Sequence, residues 1–437
     1  MKRRDILQAT AAGMGGALAP WAFAQNTGAL KPGKPYAGTE VNVLTVVAPQ
    51  FSAHEARLAE FEALTGIKVK YQYVPFVSTR EKLTAELVGQ SSQYDVLSTM
   101  DVWGPSLYNL FEPLNGMLAE KKIDLESRYP YAHMRASRDG NGNGKNILGF
   151  PIRGHVQLMF YRKDIFDKLG LKAPNTWDEM VESGKTIAAK TDMAGVAMYY
   201  GKTAGQNLMI WFNYLWGMGG ELLDAKGQPA FNSPAGVAAT QAYIDVMLKH
   251  KAAPVASASF NETDAVNSVA QGKSAMVPVW WWRYAGLVDP KVSTLKPEQV
   301  AFAPLPSMPG KPNTTYTNSW FYGINKNSKK KAAGMEFLTW LSNPDVERGA
   351  LLDKSMNEVV AVQTKNLIDA DVNLRYKGMH LFAAQALKGA KGTPLFPQWP
   401  QVSDVLEASI NELASGKAQV KPTLDDAAAR VRKAMRA

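Results

Sequence analysis

The 437-residue chain contains no cysteine. Disulfide frameworks, thiolate nucleophiles and cysteine-based metal centres are therefore excluded. Histidine is nearly as scarce. The five residues stand at 54, 133, 155, 250 and 380, with no metal-ligand spacing. The G-x-S-x-G nucleophile elbow and the H-E-x-x-H zinc helix are missing as well. Gly272-Lys273-Ser274 ends like a phosphate loop, but the first glycine of that motif would fall at Asn267. Without the glycine cradle, nucleotide binding fails. Asp139-Gly-Asn-Gly-Asn-Gly144 begins like a calcium loop, yet its twelfth position is Phe150, where a bidentate Glu is needed. A glycine-rich hairpin turn before Ile147–Pro151 is the better reading. No metal and no cofactor is expected. The formal charge of +10 is spread along the chain, with only short runs such as Lys329-Lys330-Lys331. That bears on solubility and weak anion attraction and does not make a nucleic-acid binder.

What is present begins at the N-terminus. Lys2, Arg3 and Arg4 form a basic region, Ala9–Phe23 is small and uncharged, and Ala22-Phe23-Ala24 is a small-x-small cleavage site. This is the layout of a secretory signal over residues 1–24. Arg3-Arg4 followed by Ile6-Leu7 resembles a twin-arginine signal. The apolar stretch is short of the ~20 residues of a membrane span, and no other segment reaches it. A lipoprotein would need cysteine at the cleavage point, where Gln25 stands. The mature chain is thus expected free in a periplasm. Residues 25–39, rich in Gly, Pro and Lys, read as a loose leader. The remainder is too long for one core and implies two domains of ~100–200 residues each.

Its pattern alternates. Val41–Val47 reads as a buried strand, Glu55–Leu64 as a helix stopped by Gly66, and Ile67–Val74 as a second strand. A helix over Glu81–Val88 and a strand over Asp95–Ser98 follow. This order implies parallel pairing in a doubly wound α/β sheet. Ligands bind such sheets beyond the strand C-termini, which places Ala48–Phe51 and Thr99–Trp103 at a candidate cleft. Thr176 with Glu179 reads as a capping box, and Ser233-Pro234, Asn261, Ser328 and Asn343-Pro344 as further helix starts. The C-terminal part, from about Val402 to Met435, reads as helical with a break at Gly416.

Several segments, in order, resemble one family. They are Phe61-Glu-Ala-Leu-Thr-Gly-Ile-Lys-Val69, Tyr94-Asp95-Val96, Gly149-Phe150-Pro151 followed by Met159-Phe-Tyr-Arg-Lys-Asp164, Pro174-Asn-Thr-Trp-Asp-Glu179, Gly272-Lys-Ser-Ala-Met276, and Phe337-Leu338 with Asn343-Pro344. Arg162 replaces the family's usual Asn. The pattern is similar to extracellular solute-binding protein family 1 over nearly the whole mature chain. The resemblance implies a type II periplasmic-binding-protein fold, with two doubly wound α/β lobes, a cleft and a hinge of several strands. The first lobe would take residues 40–152 and 308–350, the second 153–307 and 351–437, with crossings near 153–157, 305–310 and 350–358. It further implies the substrate-binding component of an ABC importer, a monomer that captures a carbohydrate and delivers it to membrane permease subunits.

A sugar offers hydroxyls around apolar C–H faces, so its site needs flat aromatic surfaces and hydrogen-bonding side chains. Trp280-Trp281-Trp282 follows the strand Ala275–Val279, and in an extended run Trp280 and Trp282 would share a face. Trp282 occupies a position that the family often uses for stacking. The family commonly places a carboxylate in the loop that here holds Asp101 and Trp103. Asp101 could equally cap the helix starting near Pro105. Arg153 and His155 lie on the crossover, with His155 where the family's maltose-binding member has a sugar-contacting glutamate. With Arg283 they make an acidic sugar conceivable. Asn318, Ser319 and Trp320 precede the strand Phe321–Asn325. Trp399 lies before a helix, Gln50 follows the first strand, and Asn207 shares a helix face with Trp211, which itself reads as core. Carboxylates are plentiful, so an exported glycosidase or lyase is the enzymatic alternative. A sensory protein paired with a chemoreceptor would share the same ligand site.

Overall fold

The computed structural model describes residues 29–356 and 359–436. The signal segment 1–24 lies outside the described residues. Among the described residues, eight strands form one mixed sheet: β1 (Glu40–Val46), β2 (Lys68–Val74), β3 (Val96–Met100), β4 (Phe150–Arg162), β5 (Ala194–Val196), β6 (Ser274–Trp280), β7 (Val300–Pro304) and β8 (Thr317–Ile324). The order is β2-β1-β3-β8-β4-β6-β5, and β7 pairs with β4 off this path. β1 lies parallel to both β2 and β3, and β8 runs antiparallel between β3 and β4. The strand–helix–strand reading of the first hundred residues thus gives parallel pairs, as crossover connections require. The architecture is α/β, a mixed sheet with helices between its strands, of the class expected from the sequence.

β4 holds the two halves of the sheet together. Phe150–Val156 pairs with β8, and Gln157–Tyr161 pairs with β6. β7 flanks Leu158–Arg162. The strand is buried along almost its whole length. This matches its nearly continuous apolar run, Val156, Leu158, Met159 and Phe160, since a strand covered on both faces has no reason to alternate. The segment between β7 and β8 spans residues 305–316. Ser307 still bridges to Thr176, and β8 starts only at Thr317.

The helix starts behave largely as their sequence suggests. Thr176 accepts from Glu179 N, Ser233 from Gly236 N, Asn261 closes a capping box with Asp264, and Asn343 accepts from Asp345 N. Each such cap contributes ~1 kcal/mol. Ser328 differs: the helix begins at Lys331 without a side-chain cap, and Ser328 bonds Asp95 instead. Gly66 ends its helix at φ +69, where a Cβ would meet Ala37 Cβ at 2.7 Å. The stretch Ala48–Phe51 is not a loop, because Pro49 opens a helix, Pro49–Glu55. Residues 29–39 make hydrogen bonds to the rest of the chain. Lys121 Nζ donates to Ala29 O, Lys31 N donates to Glu336, and Gly38 N donates to Gly66 O. The first two bonds sit over the buried Lys121–Glu336 ion pair.

Gly154 on β4 is a point of close approach. A Cβ there would stand 2.0 Å from His133 Nε2, so only glycine lets the strand pass. Its carbonyl accepts from Trp281 Nε1 at 3.1 Å. The Trp281 ring packs edge-on to His380, whose Nε2 accepts from Ala361 N. Residues 359–363 are gripped from the other side too. Gln50 bonds both backbone groups of Val360, His133 donates to Val362 O, and Glu347 accepts from Val362 N and Gln363 N. Trp281 thus joins the crossing strand to a second buried segment. Trp281→Ala is expected to cost about 3–5 kcal/mol, the scale of emptying a buried Trp site. Guanidinium unfolding followed by far-UV circular dichroism measures this, and a midpoint close to wild type would deny Trp281 that role.

Candidate functional site

A cavity of about 210 Å³ opens at the C-terminal ends of the first strands. Phe76, Val77 and Arg80 enter from the helix Phe76–Val88 that follows β2, and Met100, Val102 and Trp103 from the end of β3. The opposite wall is Leu208, Met209 and Phe212 of the helix Gln206–Gly217 and Trp399, Ser403 and Asp404 of the helix Trp399–Ala414. Tyr316 and Asn318, at the start of β8, also line it. Two groups of rings face this space. Trp103 packs at 5.4 Å against both Phe76 and Trp320, and Phe212 stacks on Tyr316 at 5.4 Å and 17°. Trp399 stands 6.0 Å from Phe212. The charged groups, Arg80 and Asp404, are exposed at the rim. Five aromatic rings with an amide and a hydroxyl suit a compact ligand having apolar faces and polar edges.

Of the residues expected from sequence, Trp103, Asn318 and Trp399 line this cavity. Trp320 and His155 support it from behind. His155 Nδ1 bonds Asn318 Oδ1, and its ring lies 5.1 Å from Trp280 and 6.2 Å from Trp282. The guanidiniums of Arg153 and Arg283 stand over the Trp282 ring, 4.4 Å and 4.3 Å from its centroid. Arg283 also bonds Glu262 and Thr263. The extended-run argument for the Trp triplet stops at Trp280, where β6 ends; Trp281–Arg283 turns into a 3-10 helix. His155 nonetheless meets both outer tryptophans. Ser319 is buried on β8, where its carbonyl accepts from Asp101 N. Gln50 and Asn207 stand elsewhere, in backbone-tying roles. Gln50 holds Val360, and Asn207 Nδ2 donates to Tyr200 O and Glu407 O.

Asp101 is not a helix cap. The short helix after it, Gly104–Ser106, has Trp103 at its N-cap and no side-chain bond there. The carboxylate is fully buried, accepts from Val102 N at 2.8 Å and faces Arg135 at 3.5 Å. Burial pushes its pKa up to about 7, against the pull of Arg135 and the backbone N–H groups. Burial acts on His155 in the opposite sense and holds the imidazole neutral, well below its usual range, with Arg153 adding to the effect. An acid whose native pKa lies above its unfolded value holds its proton longer in the folded state. Its contribution to stability is complete below about pH 4 and is lost as pH rises through about 7. Asn imitates the protonated acid. The melting temperature of Asp101→Asn relative to wild type should therefore climb between pH 5 and pH 8, and a pH-independent difference would mark Asp101 as an ordinary carboxylate.

Phe76, Phe212 and Tyr316 escaped the sequence reading. Phe76 had a usable signal, since Pro75-Phe76 follows the C-terminal end of a parallel strand, where ligands gather. Phe212 and Tyr316 had none. Each sits in a segment rich in aromatics, and only packing separates those facing the cavity from those in the core.

Comparison with known proteins gives the family. A family model described as bacterial extracellular solute-binding protein matches residues 45–348. A Sinorhizobium fredii protein named a probable amino-acid ABC transporter periplasmic-binding protein is 28% identical over 381 residues, 84% of either chain. A mannitol-binding protein of Pseudomonas aeruginosa is 24% identical over 296 residues, 64% of either chain. Among solved structures, a ribitol-bound solute-binding protein of Agrobacterium radiobacter superposes with TM-score 0.78 at 24% identity, covering 91% of this chain and 99% of that one. A maltose-bound protein of T. maritima gives 0.79 at 22% identity, covering 90% and 99%. With a match over this much of its length, the chain belongs to the bacterial extracellular solute-binding protein family.

Proposed function

We propose that this chain is the exported substrate-binding component of an ABC importer, and that it captures a carbohydrate or polyol between two lobes. The observation that carries the ligand class is the aromatic-walled cavity, with Trp103 and Phe76 on one side and Phe212, Tyr316 and Trp399 on the other. At about 210 Å³ it falls below the ~300–1,000 Å³ of drug-sized ligand pockets, so it suits one ring or a short polyol better than a long oligosaccharide. The mannitol-, ribitol- and maltose-binding relatives support the same class. The two lobes would meet along β4 and β8, close to the boundaries 40–152 with 308–350 and 153–307 with 351–437. Arg153 and Arg283, which raised the idea of an acidic sugar, clasp an indole and stand apart from the cavity lining. Export to the periplasm along the twin-arginine route, as a monomer that docks on the permease, completes the reading.

Isothermal calorimetry with D-mannitol, ribitol, D-glucose, maltose and L-leucine tests the ligand class. Binding of a polyol or sugar is expected, and binding of L-leucine alone would replace this reading with the amino-acid one. For the neutral ligand that binds, Trp103→Ala and Trp399→Ala should each lose about 1–3 kcal/mol, the scale of a buried aromatic anchor. A ligand that touches both walls favours the closed arrangement by its differential affinity. Solution scattering should accordingly show a smaller radius of gyration on saturation, and tight binding without compaction would sink the closure mechanism.

A further inference from the structure

Among the described residues, every exposed Leu, Ile and Phe falls within residues 368–382: Ile368 at 61%, Leu374 at 82%, Leu381 at 50% and Phe382 at 38%. The other exposed large apolar side chains are valines, a tyrosine and a methionine scattered through the chain. Scattered apolar residues are ordinary, whereas a cluster marks an interaction surface. The four gather around the side chain of Asn373. Its Nδ2 donates to Leu367 O and Asp369 O, on either side of Ile368, and its Oδ1 accepts from Leu381 N. Leu374 is the next residue. One buried amide thus joins three short helices, Thr364–Leu367, Ala370–Arg375 and Met379–Leu387. On the last, Leu381, Phe382, Gln385 and, at the C-cap, Lys388 are exposed at helical spacing, with Met379, His380, Ala383 and Leu387 buried beneath. The face continues through Phe302, 5.6 Å from Phe382, to Tyr284, 6.2 Å from Phe302, and Lys377 stands over the Tyr284 ring.

The charges around this face select what covers it. Lys365, Arg375, Lys377, Lys388 and Lys391 stand against two acids, Asp369 and Asp371, in residues 364–391. Both acids are held by Arg348, while Lys365 pairs with Asp345 and Lys391 with Glu221. Arg375 donates to Leu351 O and Met356 O, and Lys377 to Pro297 O; bonds to carbonyls leave both charges in place. Lys388 is exposed. The apolar face therefore has a basic rim of Arg375, Lys377 and Lys388. A second copy turned onto it by a two-fold axis would set these cations against their own copies. A protein partner fits less well, because protein interfaces are depleted in Lys and Leu is under-represented among their anchors. Aliphatic and Phe side chains among Lys and Arg are the composition of a surface lying in a bilayer interface, with apolar atoms at the acyl boundary and cations at the phosphates. We propose that the face built by Ile368, Leu374, Leu381 and Phe382 docks on a membrane surface carrying anionic phospholipid headgroups. So few apolar side chains and cations make the association reversible.

Vesicle flotation tests this, with the mature chain from Gln25 and two protein-free probes: equimolar phosphatidylglycerol and phosphatidylcholine, and phosphatidylcholine alone. Wild type is expected to float with the anionic vesicles at low salt and to come off them at high salt, where the attraction is screened. The double variant Leu381→Ser with Phe382→Ser should bind the anionic vesicles about tenfold more weakly or worse, having lost buried apolar carbons. Lys377→Glu with Lys388→Glu should lose the preference for phosphatidylglycerol. Leu374→Ser, at the most exposed of the four positions, should weaken binding in the same direction and reports alone if the double variant fails to fold. Wild type that stays off the anionic vesicles overturns the proposal. So does flotation that Leu374→Ser and the apolar double variant both leave unchanged. A dimer in sedimentation velocity that the apolar variants abolish assigns the face to a second copy and overturns the lipid reading as well.

Discussion

The rest of the molecule depends on one strand being shared. β4 runs thirteen residues without interruption, and its hydrogen bonds pass from β8 to β6 between Val156 and Gln157. Its backbone groups are satisfied by the sheet in both stretches, so it can cross from one half to the other while buried. Side chains near the switch then face whatever lies between the halves. His155 and Gln157 sit there. So does Gly154, whose missing Cβ admits His133 and whose carbonyl anchors Trp281. A substitution at this point would disturb the strand and the packing around it together.

Around that strand the aromatic residues divide by environment. Trp281 is entirely enclosed, Trp280 leans on His155 and Tyr316, and Trp282 packs against two guanidiniums. Three adjacent tryptophans thus take three separate functions. The clasp on Trp282 uses cation–π attraction, worth ~0.5–2 kcal/mol according to desolvation. Arg283 is further engaged by Glu262.

Burial tunes the ionisable groups in one consistent direction, toward neutrality. Asp101 and Glu347 are raised to about 7, and His54 and His133 are lowered to about 4. Glu347 and His133 hold the backbone of residues 359–363, so these groups act mainly as hydrogen-bonding pegs. The same logic keeps His155 neutral, with its Nδ1 donating to Asn318 Oδ1 beside the cavity. A neutral interior hydrogen-bonds hydroxyls without paying the desolvation cost of a fixed charge.

Local chemistry was legible wherever the cause was local. The caps at Thr176, Ser233, Asn261 and Asn343, the stop at Gly66, the parallel pairing of the first three strands and the buried character of β4 all follow from residues within a few positions of one another. The family and its α/β fold were legible because many such segments occur in order. Trp103, Asn318 and Trp399 could be placed near a cleft because they adjoin strand or helix ends. What required the tertiary structure was everything decided by packing at long range. Asp101 turned toward Arg135, Gln50 toward Val360 and Asn207 toward Glu407, all partners remote in the chain. Phe212 and Tyr316 became cavity walls for the same reason. A side chain's neighbours across the core are fixed by how sheets and helices stack, and a one-dimensional pattern carries the propensity of each element but not the contacts between them.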